Sequence, residues 1–236
     1  MPPVFDLHRA EANLDRVAQE AQPTEPLHGS SCLSLNPARQ PSLNCQFKLH
    51  FLFPKIYENQ QVPLGCAQCF KLKAVPKTLQ GLIALRDILE TLRWRSKCGV
   101  DFYNKMSGDL YAGYVYLPGL DTAREEYAVV RAALDAHPDL GPDVRLTIKR
   151  GCSEYELHCG PSDQWSFDPA QEEFEQRAAQ VFRPRPEPKD PLPLRKAQMM
   201  VEWLIFAFQI GDNSYLRFTG GKPLRPATVT YSPDKP

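Results

Sequence analysis

The sequence lacks the motifs that identify many enzymes and the apolar runs that identify membrane proteins. It contains no G-x-S-x-G, no P-loop, no H-E-x-x-H and no G-x-G-x-x-G that opens a helix. No uninterrupted apolar run approaches the roughly 20 residues that a membrane span needs. Whether the protein is an enzyme therefore stays open, and contact with a membrane is not expected.

Net charge is absent as well. The 28 Lys and Arg residues balance 28 Asp and Glu residues, so no overall field attracts nucleic acid, which is not an expected partner. The acidic residues Asp6, Glu11 and Asp15 do not fit a secretory signal or a transit peptide, so we expect a cytoplasmic protein. In that reducing compartment the seven cysteines are better explained as metal ligands or buried thiols than as disulfides.

Composition and periodicity divide the chain into three parts. Residues 1–45 hold one helical pattern, at 7–21, and a long polar run, and we expect a flexible arm. Residues 46–168 carry the strand and helix patterns of an α+β core with the cysteine site. Residues 169–236 form a helical extension, with a proline-rich connector at 183–193 and an apolar helix at 194–210.

The core pattern predicts a ferredoxin-like fold. Apolar residues alternate with polar ones at 69–75, at 97–104, at 109–117 and at 144–152, while helical spacing covers 78–92 and 121–136. This βαββαβ order is typical of an antiparallel sheet with two helices on one face. A similar alternation at 46–53 predicts an extra strand at the sheet edge.

This topology brings two cysteine pairs together at one end of the sheet. Cys66 and Cys69 directly precede the first βαββαβ strand, and Cys152 and Cys159 follow the fourth, which lies antiparallel beside the first. We expect the second pair to close as a small hairpin, so the four thiols would bind an iron–sulfur cluster or Zn²⁺. Cys98 starts the second strand at the opposite end, and it replaces Cys159 only if the topology is wrong.

The cysteine pattern also fits three alternative roles. His158 could substitute for Cys159 as a ligand, and Cys66 with Cys69 could act as a redox dithiol. Buried thiols with no function are the plainest alternative, because cysteine is among the most buried residue types. Cys32 and Cys45 are left outside the site, since they belong to the polar arm.

A second functional candidate is the polar face of the sheet. Basic and aromatic residues alternate there, as they do on RNA-binding sheets of this topology. The residues concerned are Lys71, Lys73, Tyr114, Tyr116, Arg145 and Lys149. An RNP motif is absent, so an RNA- or nucleotide-binding module is the alternative to a metalloprotein.

These patterns favour a cytoplasmic metal-binding accessory protein that works with another protein. A cluster would suit electron transfer or metallocofactor assembly, whereas Zn²⁺ held by four thiolates would be structural, because no coordination position stays open. The helix at 194–210 has almost no polar side and must be buried. We favour packing within the chain, onto the open sheet face, over a homo-oligomer formed through this helix.

Overall fold

The computed structural model describes residues 5–19, 32–36, 44–100, 108–182 and 192–225. Five strands form one antiparallel sheet: β1 (Cys32–Leu35), β2 (Cys69–Val75), β3 (Ser96–Val100), β4 (Tyr111–Pro118) and β5 (Arg145–Arg150). Their order is β1-β3-β4-β2-β5, so β2 lies between β4 and β5. The α+β class expected from the sequence is confirmed.

Helices surround this sheet. The α-helices are α1 (Leu7–Gln19), α2 (Cys45–Phe47), α3 (Leu79–Thr91), α4 (Leu120–Ala136), α5 (Ser153–Cys159), α6 (Ala170–Val181) and α7 (Leu192–Gln209). A π-helix at Lys48–Ile56 continues α2, and 3₁₀ turns occupy Leu64–Cys66, Ser162–Gln164 and Asn213–Phe218. Within the described ranges, no helix combines the length and the apolar character that crossing a membrane would require.

Helices α3 and α4 pack on one face of the sheet, as the sequence predicts. Thr78 caps α3 by accepting a hydrogen bond from the backbone N–H of Gly81 at 3.1 Å. The helix lies close to β4, because a Cβ at Gly113 would come within 2.6 Å of Leu85. The glycine therefore lets α3 approach the sheet, and the core forms between them.

Helix α7 packs only one side against the rest of the chain, and not on the sheet face that we expected it to cover; the predicted burial of the whole helix is wrong, because Leu194, Val201 and Ile205 stay exposed. Trp203 and Phe206 are 1% and 3% exposed and belong to the same apolar cluster as Leu33 and Leu35 of β1. The ring of Phe206 packs edge-on against Tyr111 at 5.7 Å. Helix α7 thus extends the core beside α3, at the edge of the sheet formed by β1.

The extra edge strand predicted at 46–53 is wrong, because this segment is helical. Phe47, Phe51, Leu52 and Ile56 are all buried, and a helix places these positions on one side. The backbone N–H of Tyr57 donates to the carbonyl of Leu52 at 2.8 Å, the five-residue step of a π-helix. The additional edge strand is instead β1, which pairs with β3.

The described parts of residues 1–45 contact the rest of the protein. Helix α1 buries Ala10, Leu14 and Val17 in a second apolar cluster with the π-helix and α6. The side chain of Asn13 donates to the carbonyl of Ile56 at 2.9 Å. The division into an arm, a core and an extension stays a prediction, but α1 and β1 both pack as parts of the fold.

Three sequence features lie wholly or partly outside the described residues. Residues 101–107 hold the end of the third predicted strand pattern and most of its turn, and 183–191 hold most of the proline-rich connector. Residues 20–31 and 37–43 hold the polar run apart from β1 and Asn36. The antiparallel pairing of β3 with β4, which the sequence predicts as a hairpin, is confirmed.

Candidate metal centre

Cys66 and Cys69 lie on a tight turn that leads into β2. The backbone N–H of Cys66 donates to the carbonyl of Pro63 at 2.8 Å, which closes the 3₁₀ turn, and Cys69 is the first residue of the strand. Both cysteines are buried, and burial raises the pKa of Cys66 to about 12 and that of Cys69 to about 11. The sulfur of Cys66 is 3.5 Å from the hydroxyl of Tyr155.

A buried carboxylate holds one side of this turn. Glu175, on α6, accepts hydrogen bonds from the backbone N–H of Leu64 at 2.6 Å and from the hydroxyl of Tyr57 at 3.0 Å. A longer bond of 3.4 Å comes from the N–H of Gly65. Helix α6, the π-helix segment and the cysteine turn are therefore joined at a single side chain.

The guanidinium of Arg150 holds the other side of the turn that carries Cys66 and Cys69. Arg150, the last residue of β5, donates to the carbonyl of Ala67 at 2.9 Å and to the carbonyl of Ser162 at 2.8 Å. Its guanidinium carbon lies 5.4 Å from the ring centre of Phe167 and 5.7 Å from that of Trp165. Arg150 thus fixes the segment between Cys66 and Cys69 against the chain that follows β5.

Cys152 reaches the same place from β5, as the sequence predicts. The backbone N–H of Gly151 donates to the carbonyl of Cys69 at 2.8 Å, so the end of β5 lies beside the start of β2. Gly151 has φ +63°, and a Cβ there would lie 2.7 Å from the ring of Trp165. Only glycine fits this turn without strain, and the turn directs the chain into α5.

The side chain of Lys71, on β2, extends from the sheet to one of these thiols. Its ammonium donates a hydrogen bond to the sulfur of Cys152 at 3.2 Å, and the residue is only 8% exposed. The nitrogen also lies 5.7 Å and 6.0 Å from the ring centres of Tyr116 and Tyr114. Burial alone would lower the pKa of Lys71, but Cys152 and Tyr116 hold this pKa above its ordinary value.

Cys45, which the sequence pattern leaves outside the site, joins this group. It is the first residue of α2, whose cap Asn44 accepts the backbone N–H of Phe47 at 3.1 Å. Burial and then Cys152 raise the pKa of Cys45, while Lys71 opposes the rise. In the sequence, the local indication that a helix starts at Cys45 is the preceding Asn44, a residue type that is common at helix N-caps.

Helix α5 separates Cys159 from Cys152 along the chain, although both pack against the apolar cluster that contains Cys66 and Tyr155. The predicted hairpin between Cys152 and Cys159 is wrong, because Ser153–Cys159 is a helix. At about 1.5 Å per residue, the helix advances roughly 10 Å between these two cysteines. The Cys159 sulfur donates to the carbonyl of Asn59 at 3.6 Å, and burial raises its pKa. His158, the substitute ligand, packs its ring 5.9 Å from that of Phe53.

Cys98 lies in the main core on β3, and β4 lies between β3 and β2. It is fully buried, and burial raises its pKa. Its neighbour across the β1 pairing is Leu33, and Cys32 pairs with Gly99. These two cysteines are on β1 and β3, whereas Cys69 is on β2 and Cys152 follows β5.

The basic residues of the polar sheet face are largely paired with acids. Lys73 binds Asp109 at 2.6 Å, and Arg145 binds the other oxygen of the same carboxylate. Lys149 forms an ion pair with Glu156. These pairs leave less positive charge for the phosphates of an RNA or a nucleotide than the sequence pattern indicates. Tyr116 is buried as well, so its ring is not an open stacking surface.

The structure therefore places Cys152 beside Cys69 where β5 pairs with β2, and Cys66, Cys152 and Cys159 all belong to one apolar cluster. All seven cysteines are free thiols. Across the described part of the chain, no group of three or more His, Cys, Asp or Glu side chains is arranged so that it could hold a metal ion. Comparisons with protein-family models, curated proteins and solved structures find no match to this chain.

Proposed function

We propose that the protein is a metal-binding accessory protein whose centre is an iron–sulfur cluster bound by Cys45, Cys66, Cys69 and Cys152. The observation that carries the proposal is the pairing of β5 with β2, in which the backbone N–H of Gly151 donates to the carbonyl of Cys69 at 2.8 Å, so that Cys152 follows directly beside the Cys66–Cys69 turn. These four residues come from α2, the 3₁₀ turn, the start of β2 and the chain after β5. Binding would draw the sulfurs together, because metal binding and local folding are coupled.

The chemistry of the donor set fits a soft metal. Thiolates prefer Zn²⁺, Cu(I) and iron–sulfur clusters over hard cations. Burial raises the pKa values of Cys66 and Cys69, so without a metal these thiols stay protonated at neutral pH. A metal displaces those protons and stabilises the thiolates. Basic side chains around the site, Lys71, Lys97 and Arg95, would offset the negative charge on sulfur.

Ligand spacing favours a cluster over zinc. Structural zinc sites commonly take two ligands from each of two tight turns. Here only Cys66 and Cys69 form such a pair, whereas Cys45 and Cys152 are single ligands from separate segments. Plant-type ferredoxin cluster sites also combine closely spaced cysteines with a ligand that is distant in the sequence.

The proposal also includes the accessory role of the protein and its location in the cell. The order β5-β2-β4-β3 supports a ferredoxin-like core to which β1 is added at the edge. The absence of a recognisable catalytic motif favours electron transfer or metallocofactor assembly, each of which requires a partner protein. Seven free thiols suit the reducing cytoplasm, where we place the protein.

The test is metal and sulfide analysis of anaerobically purified protein with its visible absorption spectrum. We expect brown protein, with iron and sulfide lost in each of the Cys→Ser variants at 45, 66, 69 and 152. Cys98→Ser and Cys159→Ser are the matched controls and should retain the cluster. Colourless protein with stoichiometric zinc would replace the cluster by a structural site. Loss at Cys159 with retention at Cys45 would overturn the ligand set.

A further inference from the structure

One side of helix α7 is apolar and faces away from the rest of the described chain. Four exposed residues form this outer stripe of α7: Leu194, Gln198, Val201 and Ile205. The three apolar ones are 47%, 55% and 37% exposed. The opposite side of α7 carries Trp203 and Phe206, through which the helix packs into the main core with α3 and β1. An exposed apolar stripe with polar edges is typical of a protein–protein contact.

The spacing of the outer stripe is that of a helix-pairing seam. Its members follow one another in steps of four, three and four residues, the heptad pattern along which two helices pack side by side. Leucine, valine and isoleucine are the usual residues of such a seam, and a single polar residue, here Gln198, fixes the register of the pair. Because the core already holds α7 as a helix, pairing along this stripe does not also have to form the helix.

Two charged residues on one edge of the stripe indicate which helix fits it. Arg195 and Glu202 lie seven residues apart, so they fall on the same edge of α7, two turns from each other. Neither side chain forms an ion pair or a hydrogen bond with another described residue. Lys196, in contrast, is paired with Glu90 of α3 at 2.6 Å. The best complement of this stripe is therefore a helix that carries the same two charges in the reverse order.

We propose that α7 is a dimerisation surface, on which the outer stripe of a second copy of this chain packs in antiparallel orientation. Antiparallel helices related by a two-fold axis bring the same edge of each helix onto one side. An axis beside Gln198 therefore places Arg195 of each copy opposite Glu202 of the other, which gives two reciprocal ion pairs, and it packs Leu194 against the apolar residues of the other stripe. A parallel pair would put the charged edges on opposite sides and form neither ion pair. This inference does not depend on the proposed metal centre.

Charge reversal on the edge tests the orientation. We expect the wild-type full chain to form a dimer in sedimentation equilibrium. Glu202→Arg and Arg195→Glu each turn both attractive pairs into repulsive ones, so each variant should raise the dissociation constant of the dimer about 10- to 100-fold. The double variant Arg195→Glu/Glu202→Arg restores both pairs in swapped form and should return this constant to about the wild-type value. Glu125→Arg, which reverses an exposed acid on α4, is the matched control.

A charge within the stripe tests the surface itself. Val201→Lys places an unpaired ammonium in the seam of each copy, so we expect a monomer at concentrations where wild type is dimeric. Because Val201 is exposed, the urea midpoints of the two proteins should agree at dilutions where both are monomeric. Wild-type protein that is monomeric throughout the concentration series, or a dimer that Val201→Lys leaves intact, would overturn the dimerisation surface. A dimer that the single reversals weaken and the double variant does not rescue would overturn the antiparallel arrangement. If Val201→Lys fails to fold, the single charge reversals decide the same question.

Discussion

The hydrogen bonds of Glu175 lead to a prediction about what holds the Cys66 turn. Glu175 is 9% exposed, and its Oε1 accepts both the backbone N–H of Leu64 and the hydroxyl of Tyr57. Oε2 accepts only the longer bond from Gly65. An amide at this position keeps an oxygen that can accept the two short bonds, whereas an alanine leaves both donors without their partner.

The expected magnitudes differ strongly between the two variants. A buried donor that loses its acceptor costs about 1–3 kcal/mol, so Glu175→Ala should lower the free energy of unfolding by roughly 2–6 kcal/mol for its two short bonds. Glu175→Gln loses only the weak third bond and removes a buried charge. We therefore expect the stability of Glu175→Gln at neutral pH to equal or exceed that of wild type.

The pH dependence gives the sign of the charge effect. Burial raises the pKa of Glu175, although Leu64, Tyr57, Gly65 and Lys48 oppose the rise. The folded state therefore binds this proton more tightly than the unfolded state does. Its contribution to stability is full below the unfolded pKa and declines as the pH rises through the folded pKa. Glu175→Gln should abolish this decline.

Urea unfolding of the metal-free protein at several pH values from 4 upwards measures both effects. Glu172→Gln is the matched control, because Glu172 is exposed on the same helix and should change little. Equal destabilisation by Glu175→Gln and Glu175→Ala would refute the reasoning, since it would mean that the negative charge, not the hydrogen bonds, holds the turn.

Three further predictions concern the packing of the fold. Trp203→Ser and Phe206→Ser should each lower the free energy of unfolding by about 3–5 kcal/mol without a change in mass by light scattering, because both side chains are buried within the chain. Burial would raise the pKa of Asp212, but hydrogen bonds from the hydroxyl of Tyr111 and the backbone N–H of Leu79 outweigh it and lower this pKa. Wild-type protein should therefore lose stability as the pH falls through the folded pKa of Asp212, and Asp212→Asn should remove that part of the loss. Deleting residues 1–21 should lower the unfolding temperature, because α1 covers an apolar cluster; an unchanged melting curve would contradict its packing.

The sequence was sufficient for strands β2 to β5 and for helices α3 and α4, because those elements have clear periodicity. Strands β2 and β5 alternate apolar and polar residues, and α3 begins at a recognisable cap, Thr78. The predicted adjacency of β2 and β5 also brought Cys69 and Cys152 together. Pairing of neighbouring antiparallel strands places the end of one beside the start of the other, so this part of the site follows from topology.

The secondary-structure predictions failed where a short apolar pattern fits both a strand and a helix. In the segment 46–53, Phe47, Leu49, Phe51 and Phe53 alternate as in a strand, but Phe47, Phe51 and Leu52 also share one side of a helix. Long-range packing against α1 and α6 selects the helix. Strand β1 is only four residues long, within a polar run, and its signal is too short to stand out before its pairing with β3 is known.

The proposed fourth thiol depends on the secondary structure on either side of the sheet. A hairpin after β5 would return Cys159 to Cys152, but this segment is the helix α5, which advances about 10 Å between them. Both cysteines nevertheless pack against the apolar cluster that contains Cys66. Helix α2 begins at Cys45, whose thiol interacts electrostatically with Cys152. The choice of Cys45 over Cys159 as the fourth ligand is therefore part of our proposal, and the Cys→Ser variants at these two positions distinguish the alternatives.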